Sequence, residues 1–368
     1  MLAGQYVIAA AGLLPGIAID MLGTLGEAAA LFMCWNLRHR ISTVELSDLL
    51  ESCTGMAVGV EPSDRVFALL GLASDTEKVG VTADYSKSYE EVLIDVTVRL
   101  IKKGFHLQPL SCWSHKTLDK GQTLPSWVSR WPPPTETATS INEHTPAGYW
   151  KGAVNFSPDH RCMRIAGIRV SSIIQTIPGF SFSLSWSLSS HDLSQVQSAI
   201  ATIRAHQNGQ TVDPLANDGI IAKALCATSA EDEKTWEGKE AVASLLTLID
   251  IAQRELKGLE DGAEVRLFSL LGNLPKEQRE ITSALIDRNH ILYRAFCFTD
   301  CGRLCLAPAH TQVNDIVTVF GGGQKLYVLR PNGRKYQYVG DAYIHGVMNG
   351  ELTTRLGWEK SIETFSII

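Results

Sequence analysis

From Ser88 to Gly104 the apolar residues Val92, Leu93, Val96 and Leu100 recur at three- and four-residue intervals, which places them on one face of a helix. Ser88 and Glu91 have the spacing of a capping box, and Lys102, Lys103 and Gly104 supply a C-terminal stop. The pattern predicts a helix from Tyr89 to Lys103. Residues 20–105 as a whole read as mainly helical, and residues 192–290 return to helix, including Glu240–Leu259. Between these regions the pattern changes. Met163, Ile165, Ile168 and Val170 mostly alternate around Gly167, predicting a strand pair between Cys162 and Ile177. The last third is strand-like: Tyr293–Phe298, Leu304–Pro308, Ile316–Phe320, Leu326–Leu329 and Tyr336–Tyr343 are short apolar runs separated by turn residues. Among those turns, Asn332-Gly333 is a strong hairpin signal, because both central positions of such a turn favour positive φ.

These patterns predict an α+β chain, with helical N-terminal and middle regions and a C-terminal antiparallel β-sheet or small β-barrel. Three segments follow: a mainly helical region 1–130, a Pro/Thr-rich surface segment 131–160, and helices plus sheet over 161–368, packed with 1–130 as one unit. The apolar start, Met1 to Ile19, reads as a buried strand Tyr6–Ala11 followed by a helix from Asp20 to Asn36. No Lys or Arg precedes Arg38, and Pro15-Gly16 breaks the run. Neither a signal peptide nor a stable membrane insertion is therefore expected.

Composition narrows the function classes. A formal net charge of -6 lacks the positive field that general nucleic-acid binding needs. The 8 cysteines are scattered through 368 residues, so a reduced, cytoplasmic chain without structural disulfides is expected.

Candidate chemistry is sparse. Cys297, Cys301 and Cys305 form the one dense cysteine set, but they flank the Gly302 turn, and buried apolar thiols are favoured over a metal site. Gly321-Gly322-Gly323 lies between strands, which favours a hairpin turn over a phosphate cradle. Tyr343 and His345 are two apart on a strand and point to one face, where with Arg330 and Glu351 they could line a polar pocket. The plainer alternative is a buried tyrosine and histidine satisfied by backbone groups. Trp113, Trp127 and Trp131 around a Pro-rich loop are either core anchors or the apolar lip of a substrate pocket. Asp64-Arg65 is best explained as a helix N-cap with its ion-pair partner. No Ser-His-Asp set, nucleotide loop or paired metal motif stands out.

Three segments resemble the fungal heterokaryon-incompatibility (HET) family. Asp64-Arg65-Val66-Phe67-Ala68-Leu69-Leu70-Gly71-Leu72, followed by Ala83-Asp84-Tyr85-Ser86, is similar to the family's D-[RK]-x-[YF]-A-L-L-G-L and P-D-Y-S, with Ala83 in place of proline. Leu124-Pro125-Ser126-Trp127-Val128 resembles the start of L-P-S-W-V-P-D-W, without the Pro-Asp. Gly302-Arg303-Leu304, Asn314-Asp315, Tyr327-Val328-Leu329-Arg330 and Val339–Glu351 resemble the family's ending. The Y-x-A-L-S-Y-x-W-G, W-[IL]-D-x-[IL]-C-I-[ND]-Q and W-x-x-Q-E segments of the family's front half have no counterpart. The resemblance therefore implies a HET protein lacking the half expected to signal.

Two functions are then open. One is a cofactor-free fungal biosynthetic enzyme on a HET-like scaffold, a cyclase of Diels–Alderase type acting on an apolar terpenoid or polyketide intermediate. It would use His345, Tyr343 and Arg330 as polar groups, the three tryptophans as substrate wall, and no metal. The other is a non-enzymatic incompatibility protein acting through protein partners. A homo-oligomer is compatible with both.

Overall fold

The computed structural model describes residues 44–52, 61–104, 107–111, 124–131, 144–177, 187–208, 221, 224, 238–259, 263–287 and 294–368. The expected strand Tyr6–Ala11 and helix Asp20–Asn36 lie outside them.

Among the described residues four α-helices come first: α1 (Leu46–Ser52), α2 (Asp64–Phe67), α3 (Thr76–Val79) and α4 (Tyr89–Gly104). The expected helix is α4, and its capping box is formed. Ser88 N and Ser88 Oγ both donate to Glu91 Oε2, at 2.8 and 2.9 Å, and Glu91 N donates back to Ser88 Oγ at 3.3 Å. These bonds, the backbone one foremost, hold the Glu91 carboxyl below the usual carboxylate range. Asp64, in contrast, is no N-cap. Ser63 occupies that position without a side-chain cap, and Asp64 Oδ1 instead accepts Tyr85 Oη at 2.8 Å.

The sheet elements are β1 (Val154–Phe156), β2 (Met163–Ile177), β5 (Arg294–Thr299), β6 (Leu304–Pro308), β7 (Ile316–Phe320), β8 (Leu326–Asn332), β9 (Lys335–Ile344) and β10 (Ile362–Ile367). A separate two-stranded sheet pairs β3 (Ser187–Ser189) with β4 (Glu264–Arg266). Between them in the chain lie α5 (Ser190–Asn208) and α6 (Gly238–Leu256), and α7 (Leu267–Leu270) and α8 (Lys276–Asp287) follow β4.

The larger sheet closes on itself. Its path runs β2-β5-β6-β9-β8-β7, and β7 pairs back onto β2. The space between β2 and β9 is filled at one end by β5 and β6 and at the other by β10. That strand pairs antiparallel with Met163–Ile168 of β2 and meets β9 in parallel at Tyr336. The long β2 is thus the hinge of the barrel.

It is also one continuous strand rather than the expected pair. Gly167 makes no turn. A Cβ there would stand 2.8 Å from the rings of Phe320 and Phe365, so glycine lets two aromatic rings close over the strand. The final hairpin differs by one residue from expectation. Asn332 pairs with Lys335, the turn is Gly333-Arg334, and of these two only Gly333 has positive φ (62°).

Alternation splits the barrel residues between two cores. Val317, Val319, Leu326 and Val328 join one cluster with Cys297, Cys305 and the buried faces of α5 and α6. Their neighbours Ile316, Phe320, Tyr327 and Leu329 join another with α1, α4, Trp127 and Trp131. The segment 131–160 is not all surface: His144 and Ala147 are buried, and Val154–Phe156 pairs with β2.

Candidate functional site

Strand register decides which of the expected polar residues can meet. Leu326 pairs with Ala342, whereas Arg330 pairs with Gln337. Tyr343 and Arg330 therefore sit at opposite ends of the β8–β9 hairpin. The six steps along β9 from Gln337 to Tyr343 span about 20 Å at the usual strand rise. Arg330 is moreover engaged. Its Nε and Nη2 each reach an Asp315 carboxylate oxygen at 2.9 Å, and Nη2 also donates to the His310 carbonyl at 2.8 Å. Asp315 Oδ2 takes a further bond from Gln312 N at 2.8 Å.

His345 does not continue the strand with Tyr343. β9 ends at Ile344, and His345 is half-buried in the following turn. Its carbonyl accepts Arg303 Nη1 at 3.4 Å. Tyr343 is buried in the core shared with α5 and α6, with its ring 5.7 Å from that of His144. Trp127 and Trp131 are buried in the other core. The Trp127 ring lies 5.2 Å from Phe156, and its Nε1 has no hydrogen-bond partner. Trp113 lies outside the described residues.

A different polar cluster is buried beside Tyr343. Arg294 and Asp341 are both 0 % exposed, and Lys325 is nearly so. Arg294 Nη2 donates to Asp341 Oδ1 at 2.5 Å, Arg294 Nη1 donates to the Asp341 carbonyl at 2.8 Å, and Lys325 Nζ stands 3.5 Å from Asp341 Oδ2. The backbone explains why an arginine is needed. Arg294 on β5 pairs with Pro308 on β6, while the β6–β9 ladder covers only Cys305 and Leu306. Beyond it Pro308 has no N–H to donate. Arg294 reaches over β6 and supplies a donor to β9, two strands away and about 9–10 Å across the sheet. A strap joins the same corner: His144 N donates to the Gln324 carbonyl at 2.9 Å and Thr145 N to that of Met348 at 3.0 Å.

The cysteines behave as packing residues. Cys297 and Cys305 face each other across β5 and β6, and Cys301 is exposed at the turn. Burial, with a smaller contribution from the Asp315 charge, pushes the Cys297 thiol up to about 12. Burial likewise raises Cys305 well above its ordinary value. Among the described residues no group of three or more His, Cys, Asp or Glu side chains could hold a metal ion. No helix among them is long and apolar enough to cross a membrane.

A closed small barrel formed largely by the strands of the last third directs the comparison with known proteins to that segment. Residues 285–361 match the Het-6 beta-barrel domain. The match supports a relation to HET-family proteins over this part of the chain, and with it the association with heterokaryon incompatibility. No curated protein and no solved structure matches the chain. The Het-6 barrel segment contains β5 to β9 and all of Arg294, Lys325 and Asp341. The closing strands β2 and β10 lie outside it. Sequence reasoning missed Arg294 and Asp341 as a pair, although a signal was present. Each is a charged residue inside an apolar strand-like run, Tyr293–Phe298 and Val339–Ile344, and such residues are rarely buried unless paired.

Proposed function

We propose that this chain is an incompatibility-type recognition protein that acts by binding protein partners and does not turn over a small molecule. The observation that carries this reading is the Het-6 barrel match across β5 to β9. The use of the buried polar groups supports it. The Asp341 carboxylate is shared between Arg294 and Lys325, and Arg330 is held by Asp315. These contacts join strands, and they leave the guanidinium of Arg330 committed to the fold.

A cyclase would need His345, Tyr343 and Arg330 to face one apolar cavity walled by Trp127 and Trp131. Against a shared cavity stand the separation of Arg330 from Tyr343 along the hairpin and the division of Tyr343 and the tryptophans between two cores.

The test is induced expression of the full chain in a filamentous fungus, scored by hyphal growth and viability. The expected result is arrest or death in genetic backgrounds that carry the partner. Healthy growth across a panel of incompatible backgrounds contradicts the proposal.

A further inference from the structure

β1 ends the sheet path, and among the described residues β2 is its one paired neighbour. Its hydrogen-bond phase fixes which main-chain groups face outward. Ala166 N donates to the Ala153 carbonyl at 3.1 Å, and Ser157 N donates to that of Cys162 at 2.9 Å. Successive residues of an antiparallel strand turn these groups to alternate sides. Ala153, Asn155 and Ser157 therefore face β2, and the N–H and C=O of Val154 and Phe156 face the open edge. No hydrogen bond reaches those groups among the described residues. An edge of this kind is a template for a further strand.

The side chains on the edge say which strand fits. Laid antiparallel about Asn155, a second copy of the same edge is complementary to the first. Val154 of one copy then stands opposite Phe156 of the other. Both are half-buried against the core that contains Trp127, and side chains opposite each other on one face are about 5 Å apart. Each covers apolar surface that the single chain leaves in water. Asn155 is exposed on the other face and meets its own mate on the two-fold axis, where each carboxamide can donate and accept. Lys151 and Asp159, four residues to either side of Asn155 and both exposed, are brought beside each other twice. Asp159 is held in its turn by Ser157 Oγ and by Arg161 N at 3.1 Å. Main-chain groups alone would accept any extended peptide; the apolar, amide and charge matches together specify this chain.

The same edge limits the pairing. Pro158 has no N–H, and Gly152 is buried where a Cβ would stand 2.9 Å from Gly321 Cα. The ladder is thus confined to the three residues of β1, and a two-fold contact uses the edges of both copies, so it closes at two.

We infer that two copies of this chain pair through β1 into a reversible dimer, antiparallel about Asn155. The inference does not depend on the proposed recognition role. The purified full chain is followed by sedimentation velocity over a concentration series. A monomer–dimer equilibrium is expected, weakened at least about tenfold by Asn155→Asp, which sets two carboxylates against each other on the axis. That position is exposed, so the wild-type Tm should be kept. Asn155→Cys, oxidised with glutathione disulfide, should give a dimer whose linked peptides map by mass spectrometry to position 155 in both copies. Ala153→Cys, whose mate lies about 14 Å away across the axis, should not link to itself. A wild type that stays monomeric at its highest soluble concentration would overturn the inference. So would undiminished dimerisation of folded Asn155→Asp, or equal cross-linking of the two cysteine variants. If Asn155→Asp lowers the Tm, Val154→Pro replaces it: this removes an outward N–H that β2 does not use, and it must weaken the dimer.

Discussion

Two arginine–carboxylate pairs occupy opposite ends of the β8–β9 hairpin, and they live in different environments. At one end Arg294 and Asp341 are wholly buried, with Lys325 beside them. At the other, Arg330 keeps 19% of its side chain exposed while gripping Asp315, which is 2% exposed. Both pairs reach across the barrel to another strand or its connection. They differ in what a broken pair would meet: at the Arg330 end water can approach the survivor, and at the Arg294 end it cannot. Burial, more than hydrogen-bond number, should therefore rank their importance.

Removing the carboxylate of Asp341 breaks the deeper pair and should have the largest effect. Asp341→Ala is expected to lower unfolding free energy by about 3–5 kcal/mol, because Arg294 is left as a buried charge. Urea unfolding followed by fluorescence measures it, and a loss below about 1 kcal/mol would erase the contrast. Arg330→Ala should cost less, about 1–3 kcal/mol, since Asp315 keeps its bond from Gln312 N and gains water. An equal or larger cost at Arg330 reverses the ranking.

The same contrast between interior and rim applies to the thiols. With its thiol raised to about 12, Cys297 in the native protein at pH 8 has only about one part in ten thousand as thiolate. Peptide mapping after brief alkylation at pH 8 should find Cys301 modified and Cys297 and Cys305 protected until unfolding. Labelling of Cys297 in the native protein would show that the barrel opens.

The smallest effect belongs to the exposed capping box. Ser88→Ala removes the side-chain half of the α4 cap and should lower the Tm only slightly. The folded-state pKa of Glu91 is depressed. Its contribution is therefore present above the unfolded carboxylate pKa and is lost as pH falls through the folded value. A Ser88→Ala difference that grew on acidification would contradict this assignment.

The architecture was legible wherever local pattern and tertiary packing agree. The α4 helix, its cap and the strands Leu304–Pro308 and Ile316–Phe320 occur as read, because alternation and capping are local. The misplaced features depend on contacts remote in sequence. Gly167 looked like a turn, but its missing side chain serves two phenylalanines that arrive from β7 and β10. Asp64 looked like a cap, but Tyr85, 21 residues on, takes its carboxylate. The expected polar site was least legible of all. A strand ending at Ile344 separates His345 from Tyr343, and Arg330, which the sequence offered as a partner for their pocket, meets an aspartate 15 residues before it. What stood out too little were Arg294 and Asp341, 47 residues apart and recognisable together only once β6 lies between them.

The central claim is that these buried polar residues are architecture and that the chain works through a partner. Deleting the gene in its host and comparing complete metabolite profiles, stereoisomers included, tests it most directly. The account predicts an unchanged profile beside altered incompatibility behaviour. Loss of one cyclised product, with accumulation of its uncyclised precursor or a scrambled isomer ratio, would contradict it.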